Sequence, residues 1–426
     1  MLLQFAVENF RSIKEKAYLS LIPSSSDKEH LDNVVTHNNN SALKSIAMYG
    51  ANASGKSNLF KAITAALLTI RTSNSRQVTD KMDLIIPFKF DDSCASKPSS
   101  FEFTFIAEDG IKYIYGFSAD RDKVYEEYLY YYRTSKPSRI FDRTQGDQFE
   151  FNATEQKALA PLVERNTSNK LFISTATMWN YAKTAVPFKW LANKIDTFDA
   201  IVNYWGIALD KYADDTSESL KQFTVKLLRQ ADINIEDYSV DVKTFTDGVV
   251  PPVLAAIAQN SPIQIQGGIH KTVQIQTGHT VEDDNCNTHQ YSLDLMDESQ
   301  GTQHLFMLSP ILKDVFENGK VMLIDELDKS LHSFLVQYVV DLFHNSSINK
   351  NHAQLVFSTH DTNLLSLDTF RRDQVYFVEK NAKNAQTSIY SLDEFSVRKS
   401  ENVERGYLLG RYGAVPFLHP EVDLWE

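Results

Sequence analysis

The sequence predicts an α/β protein with an antiparallel β lobe and a mainly helical insertion. Three observations carry this expectation. A strand, a glycine-bearing loop and a helix follow one another over residues 45–71. An apolar strand at 320–325 runs into two adjacent carboxylates, and an aromatic hairpin with period-two alternation lies between these two features.

The elements follow in order. Phe5-Ala6-Val7 forms a short strand that ends at Asn9-Phe10-Arg11-Ser12, and the polar residues 24–40 predict a loop. Ser45-Ile46-Ala47-Met48-Tyr49 is almost continuously apolar, the pattern of a strand covered on both faces. Over 58–71, Leu59, Ile63, Leu67 and Ile70 recur at helical spacing and define one buried face. Phe101, Phe103 and Phe105 alternate with Glu102 and Thr104, and Tyr113, Tyr115 and Phe117 resume the alternation beyond the turn pair Asp109-Gly110. Residues 122–132 add a further aromatic strand.

Residues 153–232 read as mainly helical, with Trp179, Trp190 and Trp205 as expected core anchors. The alternation Val273-Gln274-Ile275-Gln276-Thr277 predicts a small β insertion within 233–290. No heptad pattern persists, which argues against a coiled-coil arm. The last block returns to helix, strand 320–325, helix, strand 353–358, helix and strand 374–379. The expected organisation is therefore 1–135, 136–290 and 291–426.

Composition excludes several classes. The two cysteines, Cys94 and Cys286, are distant and give neither a disulfide framework nor zinc-ligand spacing, as suits a reducing compartment. Met1-Leu2-Leu3-Gln4-Phe5 lacks the pattern of a signal peptide, and no run approaches the roughly 18 apolar residues of a membrane span. The expected location is cytoplasmic, with no membrane partner. A net charge of −12 does not indicate DNA binding, although 43 Lys and Arg leave room for a local basic groove.

Gly50-Ala51-Asn52-Ala53-Ser54-Gly55-Lys56-Ser57 fits the phosphate-loop (Walker A) pattern G-x-x-x-x-G-K-[ST]. Small residues let backbone N–H groups turn inward around phosphates, and the following helix N-terminus adds a favourable dipole. Lys56 is expected to reach the β- and γ-phosphates of ATP, and the Ser57 hydroxyl to take a position on Mg2+. Val321-Met322-Leu323-Ile324-Asp325-Glu326 fits the acidic partner strand (Walker B). There Asp325 would hold the metal and Glu326 would polarise the attacking water.

Further motifs narrow the class. Leu327-Asp328-Lys329-Ser330-Leu331-His332 follows the acidic pair, a second apolar strand ends in Ser358-Thr359-His360-Asp361, and Glu298-Ser299-Gln300-Gly301-Thr302 precedes a helix-like stretch at 303–316. In this order the sequence resembles the ABC ATPase family: signature helix, Walker B, D-loop and switch histidine. Within it the chain is most similar to stand-alone bacterial ATPases grouped with the RecF, SMC and OLD proteins, particularly the RloA-like and PARIS AriA-like ones. Asn9-Phe10-Arg11-Ser12, the phosphate loop with Asn58, Ser299-Gln300-Gly301-Thr302 and the terminal Gly410-Arg411-Tyr412-Gly413-Ala414-Val415-Pro416 carry this resemblance over 1–135 and 290–420.

The resemblance implies an ABC-type P-loop head whose two copies sandwich two ATP molecules, as a homodimer or a higher homo-oligomer. Blocks 1–135 and 291–426 would be the two halves of that head, and 136–290 would contact partners or other copies. Ser299 and Gly301 of one subunit would contact the γ-phosphate on the other subunit's Lys56, and Asp328 would stand across the same interface. His360 would bond the γ-phosphate or the attacking water. The chain departs from the pattern at Thr302, where a second glycine is usual. No glutamine stands where a Gln-loop is expected, at Ile86-Pro87-Phe88-Lys89-Phe90. Arg11 is readable either as a contact to nucleotide or partner head or as a surface residue, and His332 as a solvated helix residue.

Three roles fit such an ATPase. It could be the sensor of an anti-phage defence system that controls a separately encoded effector, such as a nuclease or toxin. OLD proteins carry a Toprim nuclease in the same chain, whereas about 65 residues follow His360 here, so an effector is expected to act in trans. The alternative is a RecF- or SMC-like repair ATPase acting directly on DNA. A transporter subunit ranks last, because about 270 residues separate Lys56 from Asp325 and demand a large insertion.

Overall fold

The computed structural model describes residues 1–37, 40–199, 203–215, 217–246, 264–266 and 269–416. They fall into two compact units. The first comprises Met1–Ile201, Gly319–Leu327 and Val340–Glu426, and the second Val202–Asn318 and Asp328–Val339.

The first unit holds two principal sheets. One is six-stranded, in the order Ile195–Phe198, Val321–Ile324, Gln354–Ser358, Ser45–Tyr49, Val375–Lys380, Thr387–Ser391. The first five run parallel and the last is an antiparallel edge. Ser45–Tyr49 is buried at every residue, as expected of a central parallel strand covered on both faces. The Ser45 hydroxyl is satisfied there: Gln374 Nε2 donates to Ser45 Oγ at 2.9 Å.

The other sheet is antiparallel and seven-stranded. The predicted hairpin lies inside it, Ser99–Ile106 pairing with Lys112–Ala119, followed by Val124–Tyr132. Leu2–Glu8 lies beside the hairpin, and the alternate residues Phe5 and Phe103 meet with ring centroids 4.8 Å apart.

Helix Lys56–Thr72 buries the predicted stripe and also Phe60, Ala62, Ala65 and Ala66. It is covered on several sides, touching Leu2–Glu8, Ile195–Phe198 and helix Ala182–Asn193. Its residues join those of both sheets in one apolar core.

The structure corrects several expectations. Trp190 is buried and stacks on Phe105 at 4.3 Å, but Trp179 is 51% exposed beneath Arg165 and Trp205 is half-buried. A stretch expected to be helical contains the strand Ile195–Phe198. Four residues between helices are too few to display a period, and the pairing of Ile195 with Val321 decides their conformation. The helix expected between 353–358 and 374–379 is replaced by short 3-10 turns, Thr362–Leu364 and Arg372–Gln374. Asp361 accepts from the Asn363 amide there, a local bond that competes with a helix. The described residues of the polar stretch 24–40 are not simply a loop: Val34–His37 pairs with Asn40–Leu43. The buried Arg371 donates to the carbonyls of Ser24, Asp27 and Glu29 and so fixes the chain leading into that pair.

The second unit packs helices Tyr204–Asp214, Glu218–Gln230 and Gln300–Asn318 with a four-stranded antiparallel sheet that includes the predicted β insertion. Among its buried apolar side chains lies a satisfied polar cluster. Tyr212 donates to the Phe306 carbonyl at 2.8 Å, and its hydroxyl lies 2.8 Å from Ser309 Oγ. The longest helix among the described residues has 19, so none forms a coiled-coil arm. No described helix is long and apolar enough to cross a membrane.

Candidate functional site

Parallel register brings distant segments to one edge of the six-stranded sheet. Ile324, Phe357 and Ala47 stand side by side, and Ser358 pairs with Met48. The chain leaves all three strands at their carboxyl ends within the next two or three residues, where an open α/β sheet offers its crevice. Those residues are Asp325 and Glu326, Thr359 and His360, and Gly50 with the phosphate loop. One strand separates the acidic pair from the loop, so their strands lie about 10 Å apart, two strand spacings.

The loop's shape follows from its small residues. Ala53 has φ 61° and Gly55 φ 112°, both left-handed, and helix Lys56–Thr72 starts at once. A Cβ on Gly50 would stand 2.3 Å from the Val378 carbonyl oxygen, and one on Gly55 2.3 Å from Thr387 Oγ1. Both glycines are therefore demanded by close approach of neighbouring strands. Lys56 is 6% exposed, and its ammonium donates to the carbonyls of Gly50 and Ala51 at 2.6 and 3.3 Å. A buried cation needs such partners. Ser54 is 4% exposed, and its Oγ is buried with no hydrogen-bond partner. An orphaned hydroxyl two residues before a helix N-terminus is what a polyanion would satisfy, so these residues fit a triphosphate. Asn52 and Ala53 are exposed at the loop tip, and Ser57 is half-buried in the helix's first turn.

Beneath the loop lies a polar cluster the motif alone does not reveal. Asn58 Nδ2 donates to Ser12 Oγ at 2.7 Å. Thr387 Oγ1 lies 2.8 Å from Ser12 Oγ and 2.9 Å from the Ser54 carbonyl oxygen, and the Thr387 amide donates to the Ser12 carbonyl at 2.7 Å. Ser12 was legible within its motif. Thr387, on an antiparallel edge strand, carried no sequence signal. Asn9 ties the first strand to the segment before the hairpin, since at φ 52° its side-chain amide reaches the carbonyls of Cys94 and Lys97 at 2.9 Å. Arg11 is half-buried with its Nε lacking a partner.

At the acidic pair, Ser358 Oγ donates to Asp325 Oδ1 at 2.5 Å and accepts from the Glu326 amide at 2.8 Å. One hydroxyl thus holds the Asp325 carboxylate and the Glu326 backbone together. Glu326 is exposed at φ 59°, a left-handed conformation that turns its side chain out of the strand direction. His360 is exposed just past the end of Gln354–Ser358. Asp325 and Ser57 supply a carboxylate and a hydroxyl, the hard oxygen donors that suit magnesium. Among the described residues no cluster of three or more His, Cys, Asp or Glu stands where it could hold a metal ion.

The remaining predicted residues belong to the second unit. Ser299 Oγ accepts from the Thr302 amide at 3.2 Å and so caps helix Gln300–Asn318. Thr302, at the unusual position, is used: its Oγ1 lies 2.8 Å from Ser299 Oγ. A Cβ on Gly301 would meet the Ser330 carbonyl oxygen at 3.3 Å, so the signature segment packs beside the backbone that follows Asp328. Asp328 is half-buried, and its carbonyl accepts from the Leu331 amide.

A parallel sheet with a phosphate loop and an acidic pair at its carboxyl edge defines a P-loop nucleoside-triphosphatase head. Residues 45–366 match the family described as "AAA domain, putative AbiEii toxin, Type IV TA system". The match spans about three quarters of the chain, and the protein belongs to that family. No curated protein sequence matches it. Solved structures similar to it include the SMC head domain from Thermotoga maritima (11% identity, 92% of this chain and 98% of that one, TM-score 0.42). Others are the Smc head domain with an extended coiled coil bound to the C-terminal domain of ScpA, from Pyrococcus furiosus (12%, 96% and 98%, 0.41), and the recombination mediator RecF with ATPγS (14%, 91% and 98%, 0.37).

Proposed function

We propose that the chain binds and hydrolyses ATP between two heads, as an ABC-like ATPase of the RecF/SMC/OLD group. Its nucleotide state would control a separately encoded toxic effector in a prokaryotic anti-phage defence system of the RloA or AriA type. The observation that carries the ATPase reading is the parallel register that sets Ile324, Phe357 and Ala47 side by side, so that the chain runs on from neighbouring strands into Asp325-Glu326, His360 and the phosphate loop. Lys56 and the loop amides bind the β- and γ-phosphates, with Gly50, Asn52, Ala53, Ser54, Gly55 and Asn58 shaping the cradle. Ser57 and Asp325 would hold magnesium, which would supply positive charge beside the phosphate oxygens. Glu326 accepts a proton from the attacking water and His360 bonds the γ-phosphate. Ser299, Gly301 and Asp328 of the second head complete the pocket, and residues 136–290 serve partner contacts.

The defence reading is supported by the family's description, which names a toxin system, and by a net charge of −12, unfavourable for coating DNA. Glu326→Gln should keep ATP affinity within about twofold while lowering turnover by at least roughly a hundredfold, and it should trap an ATP-bound dimer. Parental turnover in that variant would remove Glu326 as the base. Co-purification with the product of an adjacent gene, together with absent ATP-dependent gel shift on duplex DNA, supports effector control. Tight ATP-dependent DNA binding by the isolated protein would favour direct action in repair.

A further inference from the structure

The loop before Ser299 is gripped from two directions. From the helix side, Gln303 Nε2 donates to the carbonyls of Met296 and Glu298 at 3.1 and 2.8 Å. From the sheet side, strand Ile269–Glu282 presents Thr277 and His279 to the Glu298 carboxylate. Thr277 Oγ1 donates to Glu298 Oε1 at 2.6 Å, and His279 Nε2 lies 2.7 Å from the same oxygen. Thr277 is fully buried, and the His279 and Glu298 side chains are 19% and 11% exposed. A carboxylate only accepts, so both neighbours act as donors and the contacts are charge-assisted.

We propose that Thr277, His279 and Glu298 form a clasp by which the inserted sheet sets the position of Ser299 and Gly301, with His279 as a positioning residue for the ATP site of the opposite head. This rests on the two-headed site proposed above. Glu298 is covalently next to Ser299, so a shift in its carboxylate moves the hydroxyl meant to meet a phosphate oxygen. Displacement by about 1 Å is enough to lose a productive contact of that kind. The clasp gives residues 136–290 a physical route to the chemistry. Whatever moves strand Ile269–Glu282 moves the signature loop, without touching the phosphate loop of its own chain.

The test uses the full chain in the Glu326→Gln background, with ATP affinity measured by titration and dimer dissociation by sedimentation. Adding His279→Ala should leave ATP affinity unchanged and weaken the ATP-dependent dimer by roughly tenfold or more, the size of one charged hydrogen bond. His279→Gln, which keeps a donor near the carboxylate, should restore dimerisation, and Thr277→Val should weaken it in the same direction. If His279→Ala merely lowers the melting temperature while the dimer holds with parental affinity, the clasp is overturned. Failure of the Glu326→Gln protein itself to dimerise with ATP would instead overturn the two-headed reading, and the clasp with it.

Discussion

At the scale of single residues, Ser358 and His344 show how polar groups inside the fold are put to use. Ser358 bridges the Asp325 carboxylate and the Glu326 amide. Ser358→Ala leaves the Glu326 N–H without its acceptor and frees the Asp325 rotamer. Steady-state ATPase assays should show kcat reduced by roughly tenfold, with an increased magnesium requirement and little change in KM. An unchanged magnesium dependence would mean that Asp325 is positioned by other contacts. His344 is half-buried, with its Nε2 2.7 Å from Ser45 Oγ. Burial, and next the Lys44 ammonium, push its pKa down to about 3. The ordinary unfolded value is about 6.5, so between these two the unfolded chain binds a proton that the native chain does not. Stability from this group is complete above pH 6.5 and is lost as pH falls toward 3. Thermal melts of His344→Gln should therefore show a smaller drop in Tm between pH 7 and pH 5 than the parent. An identical drop would place the acid sensitivity elsewhere.

At the scale of elements, position in the core outweighs local pattern. Helix Ala182–Asn193 sends Trp190 onto Phe105 of the antiparallel sheet, whereas Trp179, in a stretch of similar composition, lies on the surface. Trp190→Ala should cost about 3–5 kcal/mol in denaturant unfolding, as deleting a buried aromatic usually does. Trp179→Ala should cost well under about 1 kcal/mol, as surface changes do. The edge strand Thr387–Ser391 meets the phosphate loop at Thr387. Thr387→Val keeps the shape but removes the hydroxyl. ATP titration should show a several-fold loss of affinity with a stability change of about 1 kcal/mol, one hydrogen bond's worth. Unchanged affinity would show that the Ser54 carbonyl holds its place without Thr387.

At the scale of the whole molecule, the central expectation is assembly driven by nucleotide. Lys56→Ala should bind ATP at least roughly a hundredfold more weakly, since it removes the charge proposed to meet the phosphates. It should sediment with the same mass with and without ATP, while Glu326→Gln gains mass. An ATP-dependent mass change that survives Lys56→Ala would place the nucleotide contact outside the phosphate loop.

The sequence by itself determined the parts whose chemistry is local. The phosphate loop, the acidic pair after an apolar strand, the aromatic hairpin and the helix after Lys56 were all legible, because contiguous residues and short periods specify them. Only tertiary structure decided what depends on residues far apart. It paired Ile195–Phe198 with Val321–Ile324, buried Trp190 but not Trp179, and tied the carbonyls of Ser24, Asp27 and Glu29 to Arg371. It also brought Ser12, Thr387 and Ser358 to the motif residues they hold. The reason is physical: a hydroxyl's role is set by the donor or acceptor it meets across the fold, and no spacing along the chain records that meeting.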